Sequence, residues 1–335
     1  MAGARRHRII CVAGALSWLI VTAGMVGCRR KPATVAFSRA SVIAQLGPSH
    51  AGVSLPSDEL PENVEAHEDL TYARAGADDL ALDLYRPKRV SRPPVVIVVH
   101  GGGWERGDRR MERPLAKQLA ARGLAAATVS YRLGAAGRFP NALFDLESAV
   151  RWLRTQAARF DLDAGRIGAV GGSAGGHLVA LLGVSAGEPG LVGGAGEGDA
   201  SVRAVVDIDG LADFTGPALV AKEEKNPGAP TRFLGGSYAE RREIWRLASP
   251  ISHVGPRSAP TLFIDSSATS GAPRAGAPIL PGRAEMRDRL RALGIRSELV
   301  VLPDTPHPFW LVNPWFDVVL ARTVAFFNDQ LRGEK

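Results

Sequence analysis

Four glycines closely flank one serine in the segment RIGAVGGSAGGHLVALLG, residues 166–183. Gly171 and Gly175 lie two residues to either side of Ser173, so the segment fits the pattern G-x-S-x-G. An apolar run typical of a buried strand precedes the serine, and a helical pattern follows it. In that context the pattern places the serine at a sharp turn, where its nucleophilic hydroxyl is exposed. The glycines have no side chain, so neighbouring backbone segments can approach the turn closely. A glycine-rich packing turn whose serine only caps the helix is the alternative.

A second glycine-rich segment, HGGGW at residues 100–104, ends an earlier apolar strand. Such a loop can aim the backbone N–H groups of Gly102 and Gly103 at an oxygen on which negative charge develops, together with the N–H of Ala174. A plain glycine turn is the alternative for this segment alone. The two segments together predict acyl-transfer chemistry at Ser173.

A histidine follows the last predicted strand in the segment VVLPDTPHPFW. His307 is therefore the predicted general base, because it comes after the nucleophile in the chain order of this arrangement. His100 and His177 belong to the two glycine-rich segments, where we expect structural hydrogen bonding. His253, in ASPISHV, is expected in a surface connection.

Strands and helices alternate along the chain from about Thr71. The strand candidates include LALDLYRP, PPVVIVVH, LAAATVSYRL, RIGAV, VRAVVDIDG, APTLFID and RSELVVLP. The apolar runs lack the two-sided alternation of a half-exposed strand. The pattern predicts an α/β fold with a mostly parallel central sheet and helices on both faces.

From about Tyr72 to the C-terminus the sequence resembles the hormone-sensitive-lipase-like carboxylesterases of the α/β-hydrolase fold, in particular bacterial acetyl- and feruloyl-esterase-like proteins. HGGGW, SYRL, FPNALFDLESAVRWLR, GGSAGGHL and ASPISHV carry the resemblance. The resemblance implies a serine hydrolase that cleaves carboxylic esters through an acyl-enzyme. It further implies removal of acyl or methyl groups from a polysaccharide such as pectin or xylan.

The acid that orients the histidine departs from the family pattern. The family usually carries an aspartate a few residues after the penultimate strand, where this chain has Thr269. Two carboxylates lie nearby, Asp265 at the strand end and Glu285 in the first turn of the following helix. We expect one of these two to complete a catalytic triad, with Glu285 preferred. The weaker alternatives are Asp209 and Asp304.

Aromatic residues after the first glycine-rich segment and after the predicted base suggest a surface for sugar rings. Trp104 follows the first loop, and Trp310, Trp315 and Phe316 follow the predicted base. We expect Trp104 and Trp310 to bind substrate, although burial in the core is the alternative for the aromatic group after His307. Residues 215–245 interrupt the alternation of strands and helices and are predicted to form either a lid or a surface excursion.

The first residues have the layout of an export signal. Arg5, Arg6 and Arg8 precede an apolar stretch that ends at Cys28. The segment Met25-Val26-Gly27-Cys28 resembles a bacterial lipobox, which implies that residues 1–28 are a signal peptide and that Cys28 is lipidated. Simple secretion or an uncleaved membrane anchor are the alternatives. Each of these predicts an exported protein, and lipidation would hold it at a membrane facing the periplasm or the cell exterior.

Residues 29–64 are rich in small and polar residues and are predicted to be a tether or N-terminal arm with little regular structure. Residues 65–335 then form the hydrolase domain. Cys11 and Cys28 are the two cysteines of the chain, so no disulfide is expected within that domain.

Charge and spacing argue against several other classes of protein. The formal net charge is +7, but six of the 41 basic side chains and none of the 34 acidic ones lie in residues 1–31. The remainder carries 35 basic against 34 acidic side chains, so a nucleic-acid partner is not expected. No metal-ligand spacing, phosphate loop or dinucleotide motif occurs, and we expect neither a metal nor a cofactor.

Three other functions remain open on the sequence. A hydrolase of small esters shares all the motifs above, and an exopeptidase or amidase can use the same scaffold. The missing aspartate at position 269 also leaves open a catalytically inactive surface binding lipoprotein.

Overall fold

The structure, a computed structural model, describes residues 37–76, 78–266, 281–303 and 305–332. Eight strands within these residues form one sheet in the order β1-β2-β4-β3-β5-β6-β7-β8. The strands are β1 (Val64–Ala75), β2 (Asp78–Pro87), β3 (Pro94–Val99), β4 (Ala125–Val129), β5 (Asp163–Gly172), β6 (Ala204–Ile208), β7 (Thr261–Ser266) and β8 (Ser297–Leu302).

The sheet is parallel from β4 to β8 and antiparallel at its other edge. β3 pairs in parallel with β4 and β5, and β5 to β8 continue in the same direction. β2 pairs antiparallel with both β1 and β4. Every residue of β3, β4, β6 and β7 is buried, as expected for parallel strands covered on both faces. The predicted mostly parallel sheet is confirmed.

Helices cover both faces of this sheet. Successive residues of a strand point to opposite faces. Val95, Ile97 and Val99 of β3 pack in one apolar cluster with α3, α4 and α8, whereas Val96 and Val98 pack in another with α2 and α9. The helices are α1 (Arg39–Leu46), α2 (Arg113–Ala121), α3 (Asn141–Thr155), α4 (Ala174–Leu182), α5 (Pro217–Lys225), α6 (Ala229–Leu234), α7 (Tyr238–Leu247), α8 (Arg283–Ala292) and α9 (Trp315–Phe327).

The N-terminal arm is more regular than its composition predicts. Ser38 and Ser41 form a reciprocal capping box at the start of α1, which satisfies backbone N–H groups that a helix leaves open at its first turn. Val42 and Leu46 of this helix are buried against the core. The expectation of little regular structure in residues 29–64 is therefore wrong for α1, because its apolar face finds a partner that composition alone does not reveal.

Residues 215–245 contain α5, α6 and most of α7. Trp245 is fully buried, and its indole N–H donates to the carbonyl of Gly236 at 3.1 Å. Ser237 and Glu240 form a second capping box at the start of α7. The segment is thus a set of packed helices, and its action as a lid stays a prediction.

Several sequence predictions fall outside the described residues. They concern the signal segment, Cys28 and Asp304. Within the described ranges, no helix combines the length and the apolar character needed to cross a membrane.

Candidate active site

Ser173 lies at a tight turn between β5 and α4. Its backbone has φ 56° and ψ −118°, a conformation that costs free energy for any residue with a Cβ and that persists at functional turns. Glycines make the turn possible: a Cβ on Gly175 would lie 2.1 Å from the carbonyl oxygen of Val99, and one on Gly171 would lie 2.5 Å from backbone atoms of Gly175. The turn has the geometry predicted from the G-x-S-x-G pattern.

His307 links Ser173 to an aspartate. Its Nε2 lies 3.0 Å from the Ser173 hydroxyl oxygen, and its Nδ1 lies 3.0 Å from Oδ2 of Asp209. These distances suit a Nδ1–H that donates to the carboxylate and a serine hydroxyl that donates to Nε2. The three side chains come from the carboxyl ends of β5, β6 and β8, which meet at the same edge of the sheet.

Asp209 is fully buried in the turn that follows β6. Its backbone has φ 51°, and its N–H donates to the carbonyl of Ile264 at 3.0 Å, which folds the turn over β7. Oδ1 accepts the N–H of Ser266 at 2.7 Å. Burial acts to raise the pKa of Asp209, but the hydrogen bond and charge of His307, with a contribution from Arg283, hold the pKa below its ordinary value. The carboxylate is therefore ionised where the imidazole needs it.

The preference for Glu285 or Asp265 as the orienting acid is wrong in this geometry. Asp265, at the end of β7, pairs instead with Arg283, whose Nε lies 2.6 Å from its carboxylate. Burial raises the pKa of Asp265 to about 6, although Arg283 acts to lower it. Glu285 is exposed on α8. Asp209 contacts His307 instead, because the turn after β6, one strand earlier in the chain, reaches the imidazole. The sequence signal for this role is the position of Asp209 directly after a strand, in VDIDG.

The glycine-rich loop after β3 packs directly on the serine turn. A Cβ on Gly101 would lie 2.9 Å from the carbonyl oxygen of Gly172 and 3.3 Å from Cβ of Ser173. Gly102 and Gly103 have φ 117° and 64°, and both line a cavity with Ser173. Ala174, the first residue of α4, is buried beside the serine. Donation from these three N–H groups to a reacting oxygen stays a prediction.

Two other histidines serve as structural groups, as predicted. Nδ1 of His100 lies 2.7 Å from the carbonyl oxygen of Gly101, and Nε2 of His177 lies 2.8 Å from that of Ala248. Burial lowers the pKa of each to about 4. Both rings are therefore neutral near pH 7.

A cavity of about 280 Å³ opens above the serine. Its walls come from four parts of the chain: the N-terminal arm, the loop after β3, α6 and the segment around His307. The lining residues are Phe37, Gln45, Gly102, Gly103, Glu105, Arg106, Ser173, Ala229, Arg232, His307 and Pro308. The N-terminal arm and α6 thus form part of the site. The sequence did not indicate that the arm contributes to it.

Comparison with models of known protein families assigns the chain to one family. The model of the family BD-FAE matches residues 82–276, more than half of the chain. The chain belongs to the BD-FAE family of α/β hydrolases. Ser173 and Asp209 lie within the matched residues of this BD-FAE protein, whereas His307 lies beyond them.

Curated relatives of this BD-FAE protein include two mycobacterial enzymes. Esterase LipC of Mycobacterium tuberculosis is 32% identical over 266 residues, which are 75% of this chain and 62% of LipC. Esterase LipQ of the same organism is 28% identical over 271 residues, 80% of this chain and 63% of LipQ. The chain therefore spans less than two thirds of the length of these relatives.

Solved structures share the fold. A truncated carbohydrate esterase from gut microbiota superposes with a TM-score of 0.69 at 21% identity, covering 83% of this chain and all of that chain. Esterase 2 of Thermogutta terrifontis, phosphoramylated by tabun, superposes with a TM-score of 0.63 at 24% identity, covering 81% of this chain and 96% of that chain. The α/β-hydrolase fold of the BD-FAE protein is confirmed by both.

The two tryptophans predicted to bind substrate are buried. Trp104 stacks on Phe233 with ring centroids 4.7 Å apart, and its indole N–H donates to Nδ1 of His177 at 3.1 Å. The side chain of Trp310 packs edge-on against His307 at 5.0 Å. Trp104 is 4% exposed and Trp310 2%, so neither offers a free ring face to a sugar, and the prediction is wrong because core packing uses both rings.

Trp310 instead packs against His307 and next to the turn that carries Ser173. A Cβ on Gly172 would lie 2.1 Å from its indole ring, so the ring fills the space that this glycine leaves beside Ser173. Its N–H donates to the buried carboxyl of Glu112 at 3.3 Å. Burial raises the pKa of Glu112 to about 7, against a smaller lowering by the hydrogen bond from Trp310. No sequence motif indicated this contact.

No group of three or more histidine, cysteine or acidic side chains among the described residues could hold a metal ion.

Proposed function

We propose that this BD-FAE protein is a serine hydrolase that cleaves carboxylic esters through an acyl-enzyme. The observation that carries the proposal is the hydrogen-bonded chain from Ser173 through His307 to Asp209, with both links at 3.0 Å. An imidazole held between a hydroxyl and a buried carboxylate is the arrangement that makes serine nucleophilic.

In the first half of the reaction the Ser173 oxygen attacks the ester carbonyl while its proton moves to Nε2 of His307. Negative charge develops on the carbonyl oxygen, and the N–H groups of Gly102, Gly103 and Ala174 stabilise it. The carbonyl re-forms as the bond to the alcohol oxygen breaks, and His307 gives that oxygen its proton. The alcohol leaves and the acyl group remains on Ser173.

In the second half a water molecule attacks the acyl carbonyl and gives a proton to His307. The tetrahedral intermediate collapses, the bond to the serine oxygen breaks, and His307 returns the proton to that oxygen. Asp209 holds the imidazole in the required tautomer and stabilises its positive charge in both halves. The products are the free acid and the regenerated enzyme.

The proposed substrates are acyl or methyl esters on a polysaccharide such as pectin or xylan. Two observations support this class. One structural neighbour is named a carbohydrate esterase, and the cavity above Ser173 includes polar and charged side chains that suit hydroxylated ligands. The buried tryptophans contribute nothing to this proposal.

We also propose that the protein is exported and that Cys28 carries a lipid that holds it at a membrane. The basic and apolar residues before Cys28 support this. Incorporation of an alkyne-labelled palmitate in cells tests it. Label that is absent from the Cys28→Ser variant is the expected result, and equal labelling of the two proteins contradicts the proposal.

The main experiment measures acetate, ferulate and methanol released from acetylated xylan, feruloylated arabinoxylan and pectin. The full-length chain is compared with Ser173→Ala and with Ser57→Ala, a control at an exposed serine of the N-terminal arm. One product released by the wild type and Ser57→Ala, and lost in Ser173→Ala, is the expected result. A fluorophosphonate probe should label the same two active proteins.

Other outcomes separate the competing functions. Cleavage of a short nitrophenyl ester without release from any polymer contradicts the polysaccharide assignment and keeps the esterase. Cleavage of amide or peptide substrates in preference to esters contradicts the esterase. Absence of both turnover and fluorophosphonate labelling contradicts an enzyme altogether.

A further inference from the structure

The loop that carries Gly102 and Gly103 also carries an arginine. The N–H of Arg106 donates to the carbonyl of Gly102 at 3.2 Å, and a Cβ on Gly102 would lie 1.9 Å from the carbonyl oxygen of Arg106. The loop therefore closes tightly on itself, and the backbone of Arg106 is fixed next to the predicted oxyanion donors. Its exposed side chain lines the same cavity as Ser173.

The charges around this cavity do not balance. Glu105 is engaged by Arg232, whose Nη2 lies 2.8 Å from Oε2 and whose Nε makes a second, shorter contact. The hydrogen bond from Arg232 holds the pKa of Glu105 below its usual range, with a smaller contribution from the charge of Arg106. One carboxylate thus faces two guanidinium groups. Glu105, Arg106 and Arg232 together give this lining one net positive charge.

Arg106 has no carboxylate at ion-pair distance among the described residues. The contact that the side chain makes is with the ring of Phe37, 5.8 Å from its guanidinium carbon. A contact with the face of a ring leaves the N–H groups of the guanidinium available for hydrogen bonds.

We infer that the substrate of this site carries a carboxylate close to the scissile ester, and that Arg106 selects it. The inference rests on the proposed esterase function. An arginine offers two parallel N–H donors that match the two oxygens of a carboxylate, and Gln45, which lines the same cavity, adds a polar side chain. Such a group restores the charge balance of a cavity that is otherwise positive.

The carboxylate can come from either side of the ester. On the acid side it is the free end of a dicarboxylic hemiester, and on the alcohol side it is the carboxylate of a uronic acid residue. Both present the same chemistry to Arg106, so the experiment needs one pair of substrates for each. Within the proposed polysaccharides, the alcohol side favours an acidic polymer such as pectin over neutral xylan.

The experiment compares kcat/KM for charged and neutral esters of matched shape. The acid-side pair is 4-methylumbelliferyl hemisuccinate and 4-methylumbelliferyl 4-methylpentanoate. The alcohol-side pair is an acetylated oligogalacturonate and an acetylated galacto-oligosaccharide. The proteins are the wild type, Arg106→Gln, Arg106→Lys and the control Arg242→Gln. Arg242 is also exposed and also faces an aromatic ring, that of Tyr238, but does not line the cavity.

The wild type is expected to prefer the charged member of at least one pair. Arg106→Gln should lower the charged-to-neutral ratio of kcat/KM by about two- to fivefold, mainly through KM, because a paired charge at an exposed site is worth up to about that much. Arg106→Lys should keep part of the preference, and Arg242→Gln should keep all of it. Raising the salt to 0.5 M should narrow the preference of the wild type through screening.

A ratio that Arg106→Gln leaves unchanged in both pairs overturns the inference, as does a wild type that prefers the neutral ester in both. These results differ from failure of the proposed function, in which neither member of either pair is cleaved. Preference in the acid-side pair alone assigns the carboxylate to a hemiester, and in the alcohol-side pair alone to a uronate.

Discussion

Two adjacent strands of the sheet end in buried carboxylates with different partners. Asp209 follows β6 and contacts His307 at 3.0 Å, whereas Asp265 ends β7 and contacts Arg283 at 2.6 Å. The two side chains are close enough that the charge of Asp209 acts to raise the pKa of Asp265. The strand end alone therefore does not decide which carboxylate orients the base.

The residue that each carboxylate contacts determines which of the two can orient the base. Asp209 faces a titratable imidazole that is open to the cavity, so its charge can stabilise a proton that arrives during turnover. Asp265 faces a guanidinium that is always charged, and Arg283 donates in turn to the carbonyl of Gly210, just after Asp209. The first carboxylate is suited to chemistry and the second to fixing the turn that carries the first.

The largest effect that separates the two is on activity. Asp209→Asn should lower kcat for a nitrophenyl ester by about 10³- to 10⁴-fold, because the amide no longer holds the imidazole in the productive tautomer. Stopped assays at matched protein concentration measure the change. Glu285→Gln, at the exposed position first preferred for this role, is the control and should leave kcat within a factor of two.

A loss smaller than tenfold in Asp209→Asn, or a large loss in Glu285→Gln, would return the orienting role to another carboxylate.

The second effect is on stability. Asp265→Asn should lower the free energy of unfolding by about 1 kcal/mol, because an amide oxygen contacts the guanidinium of Arg283 more weakly than the carboxylate does at 2.6 Å. The loss stays small because the raised pKa of Asp265 shows that burial of its charged form is itself costly. The effect of Asp265→Asn on kcat should stay below that of Asp209→Asn by at least about a hundredfold, since the residue does not contact His307. Urea unfolding followed by tryptophan fluorescence gives the free energy. Equal losses of kcat in the two variants would remove the distinction drawn between them.

The smallest effect is on how the free energy of unfolding varies with pH. The pKa values of the buried carboxylates Asp207, Asp209 and Asp265 are shifted in different directions. Burial raises the pKa of Asp207, on β6, to about 7 and that of Asp265 to about 6. Between about pH 4 and those values the folded state holds more protons than the unfolded chain, so the free energy of unfolding falls as pH rises. Asp209 has a lowered pKa, so its contribution is present above about pH 4 and is lost on acidification.

Between pH 5 and pH 7.5 the free energy of unfolding of Asp207→Asn should therefore fall by less than that of the wild type. Asn retains an oxygen that can accept the N–H of Gly210, which Asp207 accepts at 2.7 Å. Urea unfolding at the two pH values measures the difference, with Asp288→Asn on the exposed face of α8 as control. A variant whose loss equals that of the wild type would contradict the raised pKa of Asp207.

Local patterns singled out Ser173 and His307, and the structure brings their side chains within 3.0 Å of each other. The turn at Ser173 and the loop at residues 100–104 are each encoded within a few residues, because glycines mark where backbone must approach backbone. His307 follows from its place after the last strand. The α/β fold follows from the same kind of short-range pattern, since buried strands and helices alternate.

The orienting acid and the tryptophans depend on contacts between distant parts of the chain. The choice between Asp209 and Asp265 depends on the pairing of Asp265 with Arg283 and on the turn after β6 folding over β7. The sequence around Trp310 suggests an exposed aromatic residue. In the structure its ring is buried, because Gly172 has no side chain and leaves space for it. Neither relation is visible within any one segment.

The wall formed by Phe37 and Gln45 comes from a part of the chain that the family pattern does not include, since the BD-FAE match begins at residue 82. A substitution or exchange within residues 37–46 can therefore remodel what enters the cavity without touching the strands that hold the serine, histidine and aspartate.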